Sequence, residues 1–201
     1  MKLKLSTMLT LQDAINCQVH PQWQQQGFTW YRAIWVECAE LLDHHGWKWW
    51  KHQEADVDQV KLELIDIWHF GLSILLIQGV AADAISTALQ DGLQSPAGDF
   101  KDDLEQFTQN TLATKDFDIP GFARLMQGID LDFDELYSRY VGKNVLNRFR
   151  QDHGYKTGTY EKIWQGREDN EWLVDLCQQL DSDSETFQQD LYSGLQARYP
   201  A

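Results

Sequence analysis

Ala33-Ile34-Trp35-Val36-Glu37-Cys38-Ala39-Glu40-Leu41-Leu42 and Leu62-Glu63-Leu64-Ile65-Asp66-Ile67-Trp68-His69-Phe70 are the two stretches on which the fold turns. Each sets two carboxylates three residues apart inside an apolar run, and residues at i, i+3 share one face of a helix. Four carboxylates gathered in a partly buried space repel one another and lose hydration, so the arrangement calls for cations. Ligands that are all oxygen favour hard ions, Mg2+ or Mn2+. The spacing therefore predicts two facing helices with Glu37, Glu40, Glu63 and Asp66 as metal ligands between them. A single Glu-x-x-Glu is ordinarily a solvated face, but two pairs embedded among Trp and Ile weigh against that reading. A ferritin-like di-iron bundle is the rival, and it requires Glu-x-x-His. Here the third residue after Glu37 is Glu40, and the third after Glu63 is Asp66.

Helical periodicity extends to both sides of these stretches. Met8, Leu11, Ile15 and Val19 make a stripe over about 7–19, closed at His20-Pro21 because proline disfavours helical geometry in the residue before it. Further helices are expected over about 29–45, ending near Gly46, and over about 57–82. Between 83 and 132 the periodicity weakens, and Ser95-Pro96-Ala97-Gly98 and Ile119-Pro120-Gly121 are loop signals. Short helices near 99–113 and 120–128, with a surface role, are expected there. Residues 134–153 read as helix, and 154–170 as an ordered loop whose Tyr155, Tyr160 and Trp164 call for burial. Ser182-x-x-Glu185 has the pattern of a capping box opening a last helix to about Arg198. Alternating strand patterns are nearly absent, so the fold class is all-α, with 1–201 as one domain.

A length of 201 residues suits such a core. Seventeen Lys+Arg against thirty-one Asp+Glu give a net charge of −14, which argues against a nucleic-acid partner, since that needs a basic face. A small anionic substrate stays open, because metal ions and a local basic cluster override the global field. Cys17, Cys38 and Cys177 are odd in number, widely separated and without CxxC spacing. They read as buried small side chains in a reducing compartment, the cytoplasm. The opening Met1-Lys2-Leu3-Lys4-Leu5 is too short for a signal peptide. The longest apolar stretch, Ile67 to Val80, is broken by His69, Ser73 and Gln78, short of a membrane span.

Trp47-Lys48-Trp49-Trp50-Lys51 follows the first acid pair. Trp47 and Trp50 read as core anchors, and one exposed Trp could stack on a base. His44 and His45 are expected at the surface of a helix end. His69 lies three residues after Asp66, on the side of the acids; an isolated His is more often structural, but this position makes it a candidate substrate contact. Lys143, Asn147 and Arg150, at i, i+4, i+7, form a basic face continued by Tyr155-Lys156. Charge alone would leave a salt-bridged surface helix. Joined to a hard-metal cluster, it points to metal-assisted phosphoryl chemistry, Arg150 gripping phosphate through two parallel hydrogen bonds and Lys acting as a point charge.

Glu37-Cys38-Ala39-Glu40-Leu41-Leu42-Asp43 with Trp47 to Lys51, then Val60 to Phe70, resemble the dimeric, all-α dUTPases, a branch of the all-α nucleoside triphosphate pyrophosphohydrolases. The late block Lys143 to Arg150, with Gly154-Tyr155-Lys156-Thr157-Gly158 and Glu168-Asp169-Asn170, is similar to that family's C-terminal motif. The resemblance covers roughly 8–180. The acids alone fit the wider superfamily; WKWWK and the late block point to dUTP. The resemblance implies a helical-bundle homodimer with its metal site between two antiparallel core helices. It would cleave dUTP, and dUDP as well, to dUMP, releasing pyrophosphate from dUTP and limiting uracil incorporation into DNA.

By the same resemblance Glu37, Glu40, Glu63 and Asp66 would hold two or three Mg2+ ions, with Mn2+ able to substitute. From the chemistry of such a site, Glu40 would take the proton of the attacking water, and Lys143, Arg150 and Lys156 would stabilise the transition state. Trp49, His69 and Phe70 would line the nucleoside pocket, with Gln12 and Asn16 reading the uracil edge. Lys143, Asn147, Arg150, Tyr155, Lys156 and Asn170 would bind phosphates. The region 83–132 matches no motif and is where the family has a mobile part. Two other readings keep these features: the same fold acting on dCTP or another non-standard nucleotide, and a non-catalytic helical dimer whose acids hold a structural ion.

Overall fold

Two helices carry the acid pairs, as the spacing predicts: α2 (Trp30–His45) and α3 (Val57–Gln78). They run antiparallel, since the Trp30 ring at the start of α2 lies 6.1 Å from that of Phe70, while the His44 carbonyl at its end accepts from Asp56 N–H at 3.0 Å. Asp56 also caps α3, its carboxylate accepting from Gln59 N–H. α3 is the central element, with Val60, Leu64, Ile67, Trp68 and Leu72 fully buried. The computed structural model describes residues 1–200, in two compact units, Met1–Phe133 and Asp134–Ala201.

The first unit contains α1 (Lys2–Val19), α2, α3, α4 (Ala82–Gln94), α5 (Phe100–Thr114) and α6 (Ile119–Gly128). α1 packs on α3 and α4, α5 on α2, and α6 on α4 and α5. α1 ends before His20, whose extended backbone precedes Pro21. The helix expected over 57–82 stops at Gln78. Gly79 adopts a left-handed φ of 68° and its N–H caps the last turn of α3, a conformation glycine takes without Cβ strain. The surface role expected for 83–132 also fails. Phe107, Phe117, Phe122, Leu125 and Met126 are buried, and Trp68 of α3 stacks on Phe122 with ring centres 5.0 Å apart. α4 and α6 touch at Gly92, where a Cβ would stand 2.6 Å from that of Ala123.

The second unit holds most of α7 (Phe133–Asp152), a two-stranded hairpin of β1 (Ile163–Trp164) and β2 (Arg167–Glu168), α8 (Asp169–Gln179) and α9 (Phe187–Gln196). Its core gathers around Phe149, whose ring meets those of His153, Trp164, Tyr192 and Tyr199 at 3.9 to 5.7 Å. Ser182 to Glu185 opens no helix; the capping box is formed by Glu168 and Glu171 at the start of α8, and α9 begins later. Among the described residues no helix is long and apolar enough to cross a membrane.

Other expectations fail locally. Trp47 and Trp50 are 43% and 56% exposed, not core anchors; they pack edge to face on each other. Cys38 is buried, but Cys17 is exposed and Cys177 lies between. His45 stacks on Phe100 at 4.5 Å rather than standing free at the surface.

Candidate active site

The antiparallel α2–α3 pair brings Glu37, Glu63 and Asp66 together, with one oxygen of each lying within 4.8 Å of the others. The i, i+3 spacing on α3 and the facing turn of α2 account for this directly. Glu63 is 9% exposed, and His44 Nε2 approaches its Oε1 at 3.6 Å. Burial, then the charges of Asp66, Glu63 and Glu40, push the Glu37 carboxyl up to about 8. That shift is what burial beside neighbouring carboxylates produces, since both disfavour the charged form. A donor set made only of carboxylate oxygens fits a hard divalent cation. Glu40 is exposed and stands outside the three-acid group, though near enough to act on Glu37 through its charge.

One turn further along α3 lies a buried polar network. Gln12, Asn16, His69 and Ser73 are 3%, 4%, 7% and 0% exposed. Gln12 Nε2 donates to Asn16 Oδ1 at 3.1 Å and to Ser73 Oγ at 3.0 Å. Asn16 Nδ2 donates to the same Oγ at 2.9 Å, and Ser73 Oγ donates to the His69 carbonyl at 3.1 Å. His69 Nδ1 lies 2.8 Å from Gln12 Oε1. The structure thus joins three residues singled out in the sequence and adds Ser73. Phe70 is half-buried against Trp30. Trp49, at the tip of the loop after α2, is 90% exposed.

Lys143, Asn147 and Arg150 occupy successive turns of α7. Arg150 does not offer the edge expected of it. Its Nε and Nη2 donate to both oxygens of Asp169 at 2.8 and 2.9 Å, and that side chain is 0% exposed. Tyr160 Oη donates to the same carboxylate at 2.8 Å, and Asn170 Oδ1 lies 3.5 Å from Arg150 Nη2. Burial works against the charged guanidinium, but Asp169 outweighs it and holds Arg150 above its ordinary value. Burial and the neighbouring carboxylate push the Tyr160 phenol well up. Tyr155 and Lys156 are exposed in a single 3-10 turn after α7.

Ser73, Tyr160 and Asp169 are the residues that sequence reasoning left without a role. Asp169 stood inside Glu168-Asp169-Asn170, quoted only as part of a motif. Its tie to a residue nineteen positions earlier has no periodic signal.

A family model described as dUTPase matches residues 4–155. The chain belongs to the dUTPase family. No curated protein matches it. Hydrolysis of dUTP, a hydrolase reaction on an acid anhydride, is the activity that membership carries. The dUTPase match takes in the three-acid group, the WKWWK loop and α7. Tyr160, Asp169 and Asn170 lie beyond it.

Proposed function

We propose that the protein is a Mg2+-dependent dUTPase that converts dUTP, and dUDP as well, to dUMP. The observation that carries the metal assignment is the group Glu37, Glu63 and Asp66, with Glu37 pushed up to about 8. These three would hold the ion, with Glu40 as the fourth, outer carboxylate. Divalent ions would supply charge neutralisation at the phosphates, and Mn2+ meets the same all-oxygen preference.

The chain's own residues divide the remaining work. Gln12 and Asn16 read the uracil edge, and His69, Phe70 and Trp49 form the nucleoside's surroundings. Lys143, Asn147, Tyr155, Lys156 and Asn170 hold phosphate oxygens, with Arg150 donating from its remaining Nη edge. Glu40, exposed and next to the acid group, takes the proton of the attacking water. Lys143 and Arg150 stabilise the charge that develops on the phosphates.

A homodimer is part of the same reading. A groove between α2 and α5, lined by Trp35, Leu42, Leu104 and Leu112 and by none of the three acids, leaves Trp35 half exposed on a face suited to a second copy. The cytoplasm suits the three free cysteines.

The test is a panel of dUTP, dUDP, dTTP, dCTP and UTP with Mg2+, following pyrophosphate or phosphate release. Cleavage of dUTP and dUDP is expected to dominate, and to vanish with a chelator. Equal rates on dCTP or dTTP would overturn the specificity.

A further inference from the structure

We propose that Ser73 is a specificity-determining residue: it fixes the direction of the amides that read the base, and so sets uracil against cytosine. The inference rests on the base-reading role given above to Gln12 and Asn16. A serine hydroxyl has one proton to give and two lone pairs to fill. Its proton goes to the His69 carbonyl, four residues earlier on α3 at 3.1 Å. That backbone oxygen is an acceptor which cannot turn over. Ser73 Oγ must therefore accept from whatever else touches it, and both neighbours do so through nitrogen, Gln12 Nε2 at 3.0 Å and Asn16 Nδ2 at 2.9 Å.

The remaining polarity follows in order. With its nitrogen committed to Ser73 and to Asn16 Oδ1, Gln12 turns Oε1 toward His69 Nδ1 at 2.8 Å. A carbonyl oxygen only accepts, so Nδ1 carries the ring proton. Asn16 spends one N–H on Ser73 and one lone pair on Gln12. One N–H and one lone pair of its amide are left, in a fixed order.

Uracil offers a carbonyl acceptor at O4, which the remaining N–H of Asn16 meets. Cytosine offers an acceptor at N3 beside an amino donor. Facing the amino group, the same amide sets hydrogen against hydrogen, and relief needs an amide flip. The flip would turn Asn16 Oδ1 toward a hydroxyl whose proton is already given. A buried site with a set hydrogen-bond order rejects the wrong partner because the groups are left unpaired.

The experiment compares Ser73→Ala and Asn16→Ala with the unaltered enzyme, measuring kcat/KM for dUTP and for dCTP on each preparation. The ratio of the two values does not depend on the fraction of active protein, so partial misfolding cannot imitate the effect. For Ser73→Ala the dUTP:dCTP ratio is expected to fall by about tenfold or more, through loss on dUTP, gain on dCTP or both. A ratio within about threefold of the unaltered enzyme, while Asn16→Ala lowers kcat/KM for dUTP, overturns the role of Ser73 and leaves the base site standing. If Asn16→Ala keeps both kcat/KM for dUTP and the ratio, the base site itself is misassigned and the proposal falls with it.

Discussion

Glu37 shows how a single side chain reports on its surroundings. In the folded, metal-free protein, burial and its acidic neighbours push its carboxyl up to about 8, from about 4.5 in the unfolded chain. The fold binds that proton more tightly than the unfolded chain does. Its contribution to stability is therefore complete below about pH 4.5 and is lost as pH rises toward 8. Thermal unfolding of metal-free protein should show Tm falling from pH 5 to pH 8.5, and Glu37→Gln should flatten that slope. Addition of Mg2+ near pH 7 should release close to one proton per site, read by calorimetry in buffers of different ionisation enthalpy. The same variant should lower dUTP hydrolysis by about two orders of magnitude or more, since several kcal/mol of charge stabilisation depend on the ligand. Full activity would remove the acid group from the mechanism.

Arg150 belongs to the same scale. Its pairing with a fully buried carboxylate leaves the local charge balanced, so in the proposed phosphate site its part would be directional more than attractive. Asp169→Ala would strand the guanidinium in a site where it is only 13% exposed, and should destabilise the protein by about 3–5 kcal/mol. Tyr160→Phe, which removes one bond to the carboxylate, should cost about 1–2 kcal/mol. Urea unfolding monitored by circular dichroism measures both, and equal effects of the two would contradict the geometry.

Among the elements, the sequence announced α2 and α3 because their apolar stripes are dense and their acids interrupt on one face. α5 is as regular, with Phe100, Leu104, Phe107 and Thr111 all inward, but Asp102, Asp103, Glu105 and Gln106 fill the intervening positions and dilute the signal. Its burial was missed for that reason. The WKWWK loop misled in the opposite way, since aromatic density implied burial where the backbone offers no partner element. The acid group was legible because i, i+3 spacing is local. The Arg150–Asp169 pair and the Ser73 network were not, because both depend on which distant turns meet. The α4–α6 contact is of the same kind. Gly92→Ala would gain about 1 kcal/mol in helix propensity but drive a Cβ to 2.6 Å from Ala123 and 3.0 Å from the Pro120 backbone. A net loss of about 1–3 kcal/mol is expected, measurable as a lower denaturant midpoint; a stabilised variant would mean that the two helices separate easily.

For the whole molecule, the boundary of the family match is informative. It stops at Tyr155, yet the groups that hold the Arg150 side chain lie at 160 and 169, so a truncation at that boundary would strip Arg150 of both. The uneven exposure of the three cysteines has a practical side. Burial pushes the Cys38 thiol up to about 12 and the Cys177 thiol up to about 11, while Cys17 is exposed, one residue past Asn16 on α1. A thiolate-seeking reagent at pH 8 should take one equivalent from the native chain and all three after denaturation, and a native count above one would show that the buried thiols open. The wild-type protein thus carries its own attachment point for a fluorophore or spin label, on the helix that bears Gln12 and Asn16 and without a single engineered residue.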